Sequence, residues 1–88
     1  MYYTFYYFDK RSNRFQKVFL EGDFTKCVTY FVNNYGAQLE PTELIQIKLP
    51  IHGYCRIPII EYEYNELKNN MGLVMYVYNH YLQLNPKN

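Results

Sequence analysis

The chain has 88 residues, the length of one domain, with 49% hydrophobic residues and a net charge of +1. Charged residues make up 19%, below the ~25% of average proteins, and this balance argues against a disordered acidic tail, a strongly basic nucleic-acid binder and an acidic DNA mimic. The two cysteines, Cys27 and Cys55, are too few and too far apart for a disulfide framework or a zinc site.

The opening Met1-Tyr2-Tyr3-Thr4-Phe5 carries no basic n-region and reads as a strand. Residues 2–8 form a continuous aromatic run of high strand propensity. Asp9 to Asn13 supplies turn chemistry, and residues 14–20 resume as a second strand, so the two form a β-hairpin with a polar, basic tip. Alternation puts Tyr2 and Tyr6 on one side of the first strand and Tyr3 and Tyr7 on the other, so one pair faces outward. On the second strand Phe15, Lys17 and Phe19 share a face, as do Gln16, Val18 and Leu20; both faces are partly apolar, and the pattern does not choose between them.

Glu21-Gly22 breaks the strand, and Asp23 is a good N-cap for a helix over 24–35. Phe24, Cys27, Val28, Phe31, Val32 and Tyr35 fall on one side of it, and Gly36 stands where a C′ glycine belongs. After a connector containing Pro41, residues 43–49 alternate with Ile45, Ile47 and Leu49 on one face. A turn through His52-Gly53 leads to a fourth strand over 54–64. Its apolar phase slips at Ile59-Ile60 beside Pro58, which predicts a β-bulge on an edge strand. The last segment is locally strand-like, but Leu67, Met71, Val74, Met75, Tyr78, Tyr81 and Leu82 cluster at helical spacing. It is expected as one helix over 65–84, stopped by Asn85-Pro86. The order ββαββα predicts an α+β domain: a four-stranded antiparallel sheet with two helices on one face and the other face open. A weak rhyme between residues 30–35 and 76–81 accompanies the repeated ββα order.

Reacting groups are scarce. The four glycines are scattered singly, with no phosphate loop. Cys27 and Cys55 read as small core hydrophobes, and His52 and His80 as solvated residues, so no nucleophile–base pair is suggested. Glu61 and Glu63 share a strand face, with Glu66 opening the helix beyond. As a metal site they would suit only a hard cation and lack ligands; as structure, Glu66 favours the helix N-terminus and the strand pair guards an edge. The third reading is an acidic protein-binding patch. At the hairpin tip, Lys10, Arg11, Arg14 and Lys17 interleave with Tyr6, Tyr7, Phe8 and Phe15, which fits a protein-contact hairpin or single-stranded nucleic acid stacked on aromatic platforms. The first 36 residues carry five positive and three negative charges, a weak footprint for nucleic acid.

Twelve tyrosines exceed what a small core satisfies, because each buried hydroxyl wants a partner. Exposed tyrosine suits protein interfaces, whereas nine asparagines beside them point to A+T-rich coding, common in viruses and mobile elements. The sequence is therefore read as a non-enzymatic, cofactor-free, cytoplasmic protein that neither spans nor binds a membrane and has another protein as its partner. An inhibitor or regulator, of viral or mobile-element origin, is the leading expectation. A nucleic-acid module and a homo-oligomer subunit are the alternatives. Tyr2, Tyr3, Tyr6, Tyr7, Lys10, Arg11, Arg14, Lys17, Glu61 and Glu63 are the candidate contact residues.

Overall fold

Strict alternation along the first strand sorts its aromatic residues between two environments. The computed structural model describes residues 1–50 and 59–84. In it β1 (Tyr2–Asp9) pairs with β2 (Arg14–Glu21) on one side and with β3 (Leu44–Lys48) on the other, and β3 pairs with β4 (Ile59–Glu63). All pairings are antiparallel, giving the spatial order β2-β1-β3-β4. In chain order α1 (Phe24–Tyr35) follows β2, and a short α2 (Tyr64–Asn69) and α3 (Met71–Leu84) follow β4. The expected four-stranded antiparallel sheet with helices on one face is the observed architecture.

The helices cover the face that carries Tyr3, Phe5 and Tyr7 from β1, Ile45 and Ile47 from β3, and Tyr62 from β4. Against it lie Phe24, Cys27, Val28 and Phe31 of α1, Leu67 of α2, and Val74 and Tyr78 of α3. Phe5 stacks on Phe31 with centroids 4.8 Å apart, and Phe24 stacks on Tyr78 at 4.6 Å. Burying a side chain of this size contributes about 1.5–3 kcal/mol. The Tyr3 and Tyr78 hydroxyls hydrogen-bond each other at 2.8 Å, which pairs two polar atoms inside the core. On β2 the choice left open by the pattern is made by Val18 and Leu20, which pack at the margin of this core while Phe15 and Phe19 point away.

Local chemistry sets the boundaries. The Asp23 side chain accepts from the Lys26 backbone N–H at 2.8 Å, so the expected N-cap is in place. At the hairpin, the Asp9 carboxylate accepts from the Arg11 N–H at 2.9 Å and from the Ser12 hydroxyl at 3.2 Å, and Asn13 takes the left-handed φ of 56° that closes the turn. The start of α2 has no side-chain cap. Its first N–H groups instead donate to the connector, Tyr64 to the Glu43 carbonyl at 2.7 Å and Asn65 to the Pro41 carbonyl at 3.0 Å.

Two expectations are corrected. The single helix over 65–84 is two helices, because Asn70 leaves helical backbone at φ −123°, ψ 50°. Its N–H still donates to the Glu66 carbonyl, while its own carbonyl accepts from Leu73 and Val74, so one asparagine ends α2 and begins α3. Asparagine suits such a position because it competes poorly for helix interiors. Gly36 is the other correction. It is not a left-handed C′ residue but continues at φ −62° into a 3-10 turn over Gly36–Gln38. What requires glycine there is contact: a Cβ would overlap the Tyr64 hydroxyl and approach the ring carbon bearing it to 2.9 Å. The strand start over 54–58 with Cys55, the bulge beside Pro58, the His52 turn and the Asn85-Pro86 stop lie outside the described residues. The second apolar phase of β4 is observed, with Ile60 and Tyr62 turned to the helices and β4 at a sheet edge.

Because its φ is ordinary, Gly36→Ala carries no backbone strain, and any loss is the clash with Tyr64. Urea denaturation is expected to show a loss of about 1–3 kcal/mol, partly recovered when Tyr64→Phe is added. A second consequence concerns alkaline pH. Burial raises the phenol pKa of Tyr3, Tyr7, Tyr62 and Tyr64 above the ordinary value, with the Tyr78 hydrogen bond adding to the effect at Tyr3. A folded pKa above the unfolded value of about 10 contributes stability below that pH and loses it as pH rises beyond. Absorbance titration of phenolate is expected to show these tyrosines ionising only as the far-ultraviolet circular dichroism collapses, above pH ~10.

Candidate functional site

The face away from the helices is built by the other half of the same alternation. It presents Tyr2, Thr4, Tyr6 and Phe8 from β1, Phe15, Lys17, Phe19 and Glu21 from β2, Leu44, Gln46 and Lys48 from β3, and Ile59, Glu61 and Glu63 from β4. Cross-strand rows run over it. Phe15 meets Phe8, with rings edge-to-face at 5.3 Å; Lys17 meets Tyr6, which meets Gln46 and then Glu61; Phe19 meets Thr4, then Lys48 and Ile59. No described helix covers this face. Tyr2, Phe15, Phe19, Leu44 and Ile59 are all exposed on it, Phe15 by 79%. Scattered exposed apolar residues are ordinary, but several on one flat uncovered face mark an interaction surface.

Polar contacts organise the rest of the face. The Gln46 amide donates to the Glu61 carboxylate at 3.0 Å, and the Lys17 ammonium lies 5.6 Å from the Phe19 ring centroid. Hydrogen bonding to Glu21, then the charge of that carboxylate, raise the Tyr2 phenol pKa. A shallow cleft of about 340 Å³ crosses the sheet between Tyr6, Phe15, Leu44, Gln46 and Glu61. Another hollow, along the outer side of α1, is lined by Thr25, Lys26, Thr29, Tyr30, Asn33 and Asn34. It has a single aromatic residue and no apolar row, so the sheet face is the stronger candidate.

The sequence candidates divide accordingly. Tyr2 and Tyr6 are the outward pair. Tyr3 and Tyr7 are turned into the core, 1% and 6% exposed, which removes them as contact residues: Tyr3 is held by Tyr78 and Phe24, Tyr7 by Phe31 and Tyr35. The basic cluster does not act as one patch. Lys10 is paired with Glu40 of the connector, whose carboxyl is held below its ordinary pKa by that hydrogen bond and charge; Lys17 belongs to the sheet face; Arg11 and Arg14 stay exposed at the tip. Glu61 and Glu63 lie on the open face at its β4 edge, and Glu66 is in the first turn of α2. Cys27 is buried, and burial raises its thiol pKa, the state of an inert core cysteine. Among the described residues no group of three or more His, Cys, Asp or Glu is placed to hold a metal ion, and no described helix is long and apolar enough to cross a membrane.

Phe8, Phe15, Phe19, Leu44 and Ile59 were not among the candidate contacts. Period-2 spacing already grouped Phe15 with Phe19; what alternation lacked was the register that joins the strands into one surface. Comparison with known protein families, curated proteins and solved structures returns no match. The site itself must carry the functional argument.

Because no described helix packs on this face, its exposed residues should matter little to stability. Thermal or urea unfolding is expected to change by no more than ~0.5 kcal/mol for Phe15→Ala, whereas Phe5→Ala on the opposite side of the same sheet should lose about 3–5 kcal/mol.

Proposed function

We propose that the protein is a non-enzymatic binding protein that docks its open sheet face on another protein. The observation that carries this reading is the row of exposed apolar side chains, Tyr2, Phe15, Phe19, Leu44 and Ile59, aligned on the one face the helices leave free. Aromatic anchors ringed by polar and charged groups are the usual makeup of such interfaces. The charges favour protein over nucleic acid. Two cations, Lys17 and Lys48, share the face with three carboxylates, Glu21, Glu61 and Glu63. A surface with that balance repels a phosphate backbone as much as it attracts one.

Size points to the mode of action. The two eight-residue strands are about 26 Å long and the four strands span about 14 Å, which suits a small interface and not an obligate one. A small domain with one such face acts by covering part of its partner, so inhibition or regulation is the proposed role. The Tyr- and Asn-rich composition supports a viral or mobile-element source.

The partner is to be recovered by affinity purification from the native cell, with mass spectrometry and nuclease treatment in parallel. A protein retained after nuclease is expected, and Tyr2→Ala or Phe15→Ala should weaken its binding by about 2 kcal/mol or more at unchanged thermal stability. Capture that depends on nucleic acid, falls steeply with salt and is lost on Arg11→Glu with Arg14→Glu would establish the nucleic-acid module instead.

A further inference from the structure

Beyond the open face, the free edge of β2 has a register of its own. The Gly22 N–H donates to the Met1 carbonyl at 2.9 Å, which makes that position a hydrogen-bonded pair of the β1–β2 ladder. Such pairs recur at every second residue. The backbone groups of Leu20, Val18 and Gln16 are therefore spent on β1, and those of Phe15, Lys17, Phe19 and Glu21 point away from the sheet. Among the described residues no strand lies beyond β2. The edge is eight residues long and contains no proline, and an edge of this kind is a template for another strand.

We propose that this edge pairs with β2 of a second copy, antiparallel and centred on Phe19, joining two sheets into one of eight strands. The charge pattern selects that occupant and that register. Centring on Phe19 sets Phe19 against its own copy, Val18 against Leu20, and Lys17 against Glu21 twice, once on each side of the two-fold axis. Each ion pair lies on the open face and each Val18–Leu20 pair on the core side, extending both surfaces consistently. Centring on Lys17 would instead oppose two ammonium groups. Centring on Val18 would leave Glu21 facing Phe15. The other sheet edge, β4, is five residues long and carries Glu61 and Glu63, which repel a second copy of that strand. The mid-strand lysine thus guards the edge against wrong pairings and is satisfied in one.

The test is the sedimentation-equilibrium mass of the whole chain over a concentration series, with charge reversal. A monomer–dimer equilibrium is expected, with the dissociation constant raised about tenfold or more by K17E or E21K alone, since each turns two attractive pairs into two repulsive ones. The double variant K17E/E21K should restore it. Phe19→Pro should abolish dimers while circular dichroism stays native, because the lost N–H points away from β1. A monomer at every concentration overturns the proposal, as do open-ended assemblies larger than a dimer. A dimer indifferent to the single reversals, or not rescued by the double one, overturns it equally.

Discussion

The central place of β1, paired on both sides and flanked above by helices, governs the rest of the molecule. With Tyr3, Phe5 and Tyr7 committed to Phe24, Phe31 and Tyr78, every residue between them is sent to the other face. A strand has a strict period of two, so a one-residue slip would expose the whole inward row and bury the outward one. The register that builds the core is therefore the register that builds the open face. Tyr6 and Phe8 stand out because Phe5 and Tyr7 stand in.

Much of this was legible residue by residue. Asp23 and the apolar stripe of α1 gave the bounds of that helix, since capping and period are both local signals. The hairpin was legible for the same reason. Gly36 was placed correctly for the wrong cause: the sequence position suggested a left-handed stop, whereas the constraint is Tyr64, a contact that no local pattern carries. The break at Asn70 was hidden because Leu67, Met71 and Val74 keep helical spacing across it. The α2 start was obscured too, because its caps are the backbone carbonyls of Pro41 and Glu43.

For the candidate site, the sequence supplied the ingredients and not their assembly. Outward tyrosines, the Phe15–Lys17–Phe19 row and the Glu61–Glu63 pair each follow from alternation. Which strands are neighbours does not, and only adjacency of β1 to β3 brings Leu44 and Gln46 beside Tyr6. The basic tip shows the opposite error. Four cations within eight residues look like one patch, but turn geometry and the pairing of Lys10 with Glu40 disperse them. Charge read along the chain overstates a field that the fold divides.

The Tyr3–Tyr78 hydrogen bond spans 75 residues, from the earliest strand to the final helix. On the ribosome, β1 emerges before every other described element, yet its inner row is not fully covered until α3 has been made. Until then α1 shelters Phe5 and Tyr7, while Tyr3 lacks its Tyr78 partner and the outer aromatic row stays bare. During synthesis this domain therefore passes through a sticky half-sheet, and its yield in the cell depends on how quickly the last helix arrives or on what shields the hairpin meanwhile.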